Sequence, residues 1–337
     1  MEQAKMREIE AVEDPRLTAR VVSRTPLLYA GGADPEADRP GHVRAGSSLA
    51  WVDGRLAVVQ DDANFVALVD PDTLRADAVH LPAGHEGRRQ FDDRRGTKEY
   101  KLDLEACVAV PGEGGDVLLA FGSGSSPRRE QVAVLEGWAA GEPRVALRDA
   151  SALYAGLRRA ADFAGSELNV EGAVWMDGRV RLFGRGNGAA RGDVLPADAT
   201  CDLEWDALWA YLRDPAAAPP PEPRGVVRYR LGSVDGLRLG FTDAARAGGR
   251  FLFCASAEDS PDATRDGRVA GSALGVFDEG GGVRWTLLRG EDGGVFTGKV
   301  EGLALPPDSR DRAWVVVDRD DPDAPSDLCS VELGGGW

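Results

Sequence analysis

One hairpin pattern recurs five times along the 337 residues and predicts an all-β chain: a β-propeller of four-stranded antiparallel blades. Three observations carry this. Each copy opens on a small or acidic group, runs through an apolar strand, turns at Gly or Asp, and returns through a second apolar strand. Successive openings lie about 58 to 71 residues apart, long for a blade but compatible with inserted loops. The 43 Gly and 20 Pro supply turns, while 43% hydrophobic content suffices for a core.

In chain order, the early run Leu17–Ser23 reads as a strand without a local partner. The first unit follows at residues 45–55, where Asp53-Gly54 separates two strand-like runs, the strongest short-range hairpin signal; Phe65–Val69 continues it. In the second, Asp103-Leu104-Glu105-Ala106 opens a strand to Val110, Val117–Phe121 returns, and Gln131–Leu135 follows. Residues 150–163 carry apolar side chains at helical spacing and link to the third unit, whose hairpin turns at Asp177-Gly178. Residues 201–212 read as a helical insertion, with Leu203, Leu208 and Leu212 near one face and a Pro-rich stretch after it; Val226–Leu231 is strand-like again. The fourth unit opens at Gly240 and turns at Gly248-Gly249, and Ala273–Phe277 continues it. The fifth opens at Lys299, turns near Pro307-Asp308, and runs out after a third strand, Asp327–Leu333. Leu17–Ser23 is then the missing fourth strand, closing the ring and removing a free sheet edge. The expectation is a single domain over residues 1–337 with five blades, or six if residues 26–45 or 196–231 hold another.

Acidic residues outnumber basic ones by 56 to 40, a formal charge of −16. That field disfavours nucleic acid and anionic membranes, and no basic patch overrides it. There is no run of the roughly 18–20 apolar residues that a membrane span needs, and the charged start lacks a signal-peptide core; a cytoplasmic protein is expected. The four Cys are widely spaced and read as reduced core residues, and His42, His80 and His85 are too few for a His-rich metal site. The acidic stretch 258–266 does not have the spacing of an EF-hand loop and reads as solvated.

Hairpin geometry puts each opening at the same end of the sheet as the loop after the second strand. One face therefore collects Glu105, Glu171 and Glu301, equivalent by register, with Ser47 and Thr242 in the other two slots. Strand period two adds Asp103, Asn169 and Lys299. Carboxylates crowded around an axis raise one another's pKa unless a cation balances them. Either a hard cation such as Ca²⁺ on Glu105, Glu171 and Glu301 resolves the conflict, or Lys299 does, helped by Arg185 and Arg319. The loop 122–129, with Ser123, Ser125 and Arg128, and the loop 184–188, with Arg185 and Asn187, are candidate holders of an anionic group.

The openings Asp103-Leu104-Glu105-Ala106, Val170-Glu171-Gly172-Ala173 and Val300-Glu301-Gly302-Leu303 resemble the Asp-x-Glu-Gly inner-strand motif of the bacterial phytase-like (esterase-like) β-propeller domains. The resemblance covers residues 45–333 and implies Ca²⁺ on the axis and hydrolysis of a small ester, lactone or phosphoester. It makes Glu105, Glu171 and Glu301 axial ligands or acid–base groups; in the mechanism expected of them, Asp103 is the carboxylate of raised pKa that moves the proton. Arg128, Arg185 or Arg319 would hold an anionic substrate. Ser47 and Thr242 depart from the motif, and basic residues are sparse for a phytate pocket. The competing expectation is a non-catalytic propeller that binds a small ligand or a protein partner on the same face.

Overall fold

The computed structural model describes residues 7–138, 141–260 and 267–337. Four N-terminal strands come first: β1 (Arg7–Glu10), β2 (Val12–Glu13), β3 (Thr18–Pro26) and β4 (Leu28–Tyr29). The first sheet is β5 (Gly46–Val52), β6 (Arg55–Gln60), β7 (Phe65–Val69) and β8 (Arg75–His80). The second is β9 (Leu104–Val110), β10 (Val117–Gly122), β11 (Gln131–Glu136) and β12 (Arg144–Asp149), followed by helices α1 (Ser151–Arg159) and α2 (Ala161–Ala164). The third is β13 (Val170–Trp175), β14 (Arg179–Gly184) and β15 (Asp198–Glu204), then helix α3 (Trp205–Arg213) and β16 (Arg224–Arg230). After the two-residue β17 (Ser233–Val234) comes the fourth: β18 (Leu237–Ala247), β19 (Arg250–Glu258), β20 (Val269–Phe277) and β21 (Val283–Arg289). The fifth is β22 (Lys299–Ala304), β23 (Arg312–Asp318), β24 (Asp327–Gly334) and the N-terminal β3.

Within each sheet, neighbouring strands pair antiparallel in chain order. The Asp-Gly turns expected at Asp53-Gly54 and Asp177-Gly178 have positive φ at both residues, the geometry that matches strand twist. β3 pairs along β24 from Asp327↔Pro26 to Gly334↔Thr18, so the strand expected over 17–23 runs to Pro26. The helix expected over 201–212 begins only at Trp205. Residues Cys201–Glu204 finish β15 because their backbone pairs with β14, and local apolar spacing does not outweigh that ladder. Residues 26–45 give only β4, and 196–231 give β15, α3 and β16, so neither forms a further sheet. Of the acidic stretch 258–266, residues 261–266 lie outside the described residues, as do residues 1–6 of the charged start.

Apolar side chains form separate clusters between neighbouring sheets: first and second, second and third, third and fourth, fourth and fifth, and fifth and first. Helices α1 and α3 cap the second of these with Leu153, Tyr154, Leu208 and Leu212. The inner strands β5, β9, β13, β18 and β22 also touch in that cyclic order. This is a propeller-like arrangement. All four cysteines are buried and unbridged within it, as expected of reduced core residues.

At the centre lies one fully buried carboxyl, Asp243 on β18. It accepts hydrogen bonds from Leu303 N of β22 at 2.9 Å, from Ser48 Oγ of β5 at 3.0 Å, and from its neighbour Ala244 N at 2.8 Å. Ser48 Oγ in turn accepts from Cys107 N of β9 at 3.0 Å. On β13 the facing residue is Gly172, where a Cβ would stand 3.2 Å from Asp243 Cα. Burial pushes the Asp243 carboxyl well above the usual carboxylate range despite these donors. Removing it would leave buried donors unpaired, at about 1–3 kcal/mol each.

The N-terminal strands form a belt over the outer edges. β1 pairs parallel with β16 of the third sheet, and β2 with β21 of the fourth. β3 completes the fifth and pairs parallel with β21 at Leu288↔Ala19, while β4 pairs with β8 of the first. A chain starting at residue 17 should therefore fold but melt several degrees lower, because it loses only β1 and β2. A chain starting at residue 27 should lose cooperative unfolding, since β24 is then an open edge beside an exposed core. Thermal melts followed by near-ultraviolet circular dichroism check both.

Candidate functional site

Every inner strand carries a β-bulge at the same register. The ladders skip Ser47 between Gly46↔Gln60 and Ser48↔Val59, Glu105 between Leu104↔Gly122 and Ala106↔Phe121, and Glu171 between Val170↔Gly184 and Gly172↔Phe183. They likewise skip Thr242 and Glu301. A bulge re-aims a side chain out of the pleat alternation. At these five positions it marks one end of the channel, and Ser47, Glu105, Glu171 and Glu301 line a cavity of about 60 Å³ there.

The loops after the second strands reach the same cavity, as hairpin geometry requires: Asp61, Arg185, Asn187, Glu258, Asp318 and Asp320 join the walls. Eight carboxylates (Asp61, Asp103, Glu105, Glu171, Glu258, Glu301, Asp318, Asp320) face four cationic groups, those of Lys101, Arg129, Arg185 and Lys299. The pairing divides the mouth in two. On one side Lys101 Nζ lies 2.5 Å from Asp61 and 2.6 Å from Asp103, and Arg129 lies 2.9 Å from Asp103. On the other, Arg185 reaches Glu258 at 2.7 Å and Glu171 at 3.5 Å, Asn169 Nδ2 donates to Glu171 at 2.5 Å, and Lys299 pairs with Glu301 at 2.9 Å.

Asp103, expected as the proton carrier with a raised pKa, is the reverse. Burial pushes it up, but Lys101, Arg129 and a Ser123 hydrogen bond outweigh burial and hold it below the usual range. The raised groups are the glutamates. Burial and the Asp103, Asp61 and Glu171 carboxylates push Glu105 well up, and it has no hydrogen-bond or ion-pair partner among the described residues. Burial carries Glu171 to about 8 against the pull of Arg185, and it raises Glu301 against Lys299. Asp318 is also well above the usual range, from burial and the nearby Asp320 and Asp61.

The expected ligand set Glu105, Glu171 and Glu301 lines one cavity, with Glu171 and Glu301 paired to Arg185 and Lys299. Among the described residues, the group of three potential metal ligands whose oxygens lie within 4.8 Å of one another is Asp61, Asp103 and Glu105. Arg319 does not face the mouth; it forks onto Asp327 at 2.6–2.9 Å, the residue that starts the adjacent strand β24. Arg128 lies exposed, its guanidinium 4.7 Å from the Tyr100 ring centroid. Ser123 and Ser125 stand behind the wall: Ser123 donates to Asp103, and Ser125 accepts from Arg129 at 2.8 Å. Asn187 and Lys299 do line the cavity. Sequence reasoning did not single out Lys101 or Asp61, and reached Arg129 only as part of the loop 122–129.

Among the described residues, three buried polar atoms on residues that line this cavity have no hydrogen-bond partner: Asp61 Oδ1, Glu301 Oε2 and Arg185 Nε. Beside it, sharing Asp61, Lys101, Asp318 and Asp320, lies a second cavity of about 270 Å³. Its wall is braced by the buried Arg44, which holds Asp62 and, at 3.1 Å, Asp92.

Raised glutamate pKa values have a sign for stability. Glu171 titrates near 4.5 when unfolded and at about 8 when folded, so the folded state binds more protons between those values. Stability should therefore fall as pH rises from about 5 to about 8. Melting curves of the wild type should show this decline, and Glu171→Gln should flatten it.

No curated protein matches the chain. Among solved structures, it is similar to the PQQ-bound aldose sugar dehydrogenase of Streptomyces coelicolor (12% identity, 96% of this chain and 100% of that chain, TM-score 0.45). It is also similar to the native arabinanase of Bacillus subtilis (10% identity, 87% and 94%, TM-score 0.40). No helix among the described residues is long and apolar enough to cross a membrane. The family match does not extend to the phytase-like group named from the strand motifs. The chain belongs to the family of unknown function DUF6929, whose model matches residues 42–333.

Proposed function

We propose that the chain is a closed five-bladed β-propeller, one domain, whose axial mouth is a hydrolytic site working beside a hard divalent cation. The observation that carries the reading is the unbalanced mouth itself: eight carboxylates against four cationic groups, with three carboxylate oxygens within 4.8 Å. Asp61, Asp103 and Glu105 fit such an ion, because the donor set is all oxygen and Asp61 Oδ1 is buried without a hydrogen-bond partner among the described residues. Ca²⁺ is the first choice, and when bound it would polarise a substrate carbonyl and a water.

The chain's own residues supply the rest. Glu171, at about 8, is poised to give or take a proton near neutral pH. Asn169 and Arg185 fix its carboxyl in place. Lys101 and Arg129 keep Asp103 ionised and therefore competent as a ligand. Surplus negative charge favours an uncharged ester or lactone over a phosphoester. With Arg128 and Arg319 engaged elsewhere, only Arg185 remains of the three arginines expected to hold an anion.

Millimolar Ca²⁺ should raise the melting temperature of the wild type by a few degrees, and the Asp61→Asn, Glu105→Gln double variant should lose that rise. Against a panel of small esters and lactones, Glu171→Gln should lower kcat by roughly 100-fold or more. Turnover undiminished in Glu171→Gln would remove the assigned proton carrier. No cation effect and no turnover would leave a ligand-binding platform, with Lys101 as the resident counter-charge.

A further inference from the structure

The axial channel has a second end, and its chemistry is the opposite of the acidic mouth's. On the other side of the Asp243 tie, the five inner strands line another cavity of about 200 Å³. Trp51 of β5, Val108 of β9, Val174 of β13, Ala245 of β18 and Leu303 of β22 stand among its walls. Its lining shares no residue with the acidic cavity, contains no carboxylate, and has Arg246 as its one charged group. That guanidinium is already engaged, donating to Asp177 at 2.8 Å and to the Trp175 carbonyl at 3.4 Å.

The void is built into the repeat. Every inner strand contributes an alanine to the lining, Ala50, Ala109, Ala173, Ala245 and Ala304 among them, where larger side chains would fill the space. Ala109, Ala245 and Ala247 stay half-buried although they lie on the innermost strands. The apolar surface is also confined to this cavity. The hairpin turns around it present Asp53, Glu113, Asp177 and Asp308 to solvent. The exposed large hydrophobic residues among the described ones, Val12, Val22, Val194, Leu195 and Val295, lie in none of those turns. A protein partner needs a contact patch of about 800 Å² on each side with an apolar centre, which a charged collar does not offer. A small molecule needs only the cavity.

Size and polarity narrow that molecule. An apolar cavity of about 150 Å³ stays dry and takes up benzene. The space here therefore matches one six-membered aromatic ring with a short substituent. A charged group would lose its hydration on entry; an ammonium would also meet Arg246, and a carboxylate would have to compete with Asp177. Trp51 and Trp175 in the lining favour an aromatic guest over an aliphatic one. We infer that this end of the axis is a binding site for a small, uncharged aromatic molecule. It is separate from the acidic mouth and does not depend on the hydrolase reading.

The test is binding of toluene, benzoate and benzylamine to the full chain, one ring carried in neutral, anionic and cationic form. Ligand-observed NMR gives the affinities, and nuclear Overhauser effects from the ring protons locate the guest. Toluene should bind saturably, at least about tenfold tighter than either charged probe, with Overhauser contacts to Trp51 and Trp175. Ala109→Leu and Ala245→Leu, which fill the cavity, should each weaken toluene about tenfold or more. The wild-type charge series and the contacts decide the matter even where a variant fails to fold. Toluene that does not saturate, a charged probe that matches it, contacts only to other parts of the chain, or an affinity unmoved in both folded variants would overturn the inference.

Discussion

The Asp243 carboxyl is the point at which the inner strands are tied. Through direct hydrogen bonds it joins β18 to β22 and β5, and through Ser48 it reaches β9. Gly172 of β13 packs against its backbone without room for a side chain. Five strands converging on an axis need small residues and a shared acceptor, because each brings backbone donors that no sheet ladder satisfies there. One buried acid meets that need, and the apolar clusters between the sheets fill the space outward from it.

That tie has an electrostatic consequence at the mouth. The bulges just before Ser48, Ala106, Gly172, Asp243 and Gly302 share one register, and four of the five skipped residues line the cavity at one end of the channel, while Thr242 donates to Cys254 Sγ. Three of the five are glutamates, and the loops add further carboxylates. Lys101, Arg129, Arg185 and Lys299 compensate only half of them, by fixed ion pairs rather than by diffuse screening. The remainder either keep protons or call for an external cation. A proton and a cation would draw on the same surplus of acceptors.

Much of this was legible in the sequence. Ser47, Glu105, Glu171, Thr242 and Glu301 align by hairpin spacing alone, and the structure places all five at bulges of one register. The Asp-Gly turns and the pairing of the N-terminal strand with the last sheet were legible for the same reason: local turn chemistry and strand counting decide them. Partner choice was not. Arg319 looks like an axial cation until β24 brings Asp327 beside it, eight residues on in the chain. Lys101 lies on an irregular loop before β9, where no periodicity fixes direction, so its hold on Asp61 depends on a contact across sheets. Asp103 looked like the group with a raised pKa because its carboxylate neighbours were visible and its two cationic partners were not. Cys201 and Leu203 suit either a strand or a helix face, and only pairing with β14 decides between them.

Carbon-13 NMR titration of the side-chain carboxyls, assigned with Glu105→Gln and Glu171→Gln, tests most directly the claim that the mouth carries uncompensated acids. The account predicts a Glu171 midpoint near 8, a Glu105 midpoint well above that of an exposed glutamate, and an Asp103 midpoint below the usual carboxylate range. Glu105 and Glu171 both titrating near 4.5, as exposed glutamates do, would contradict it.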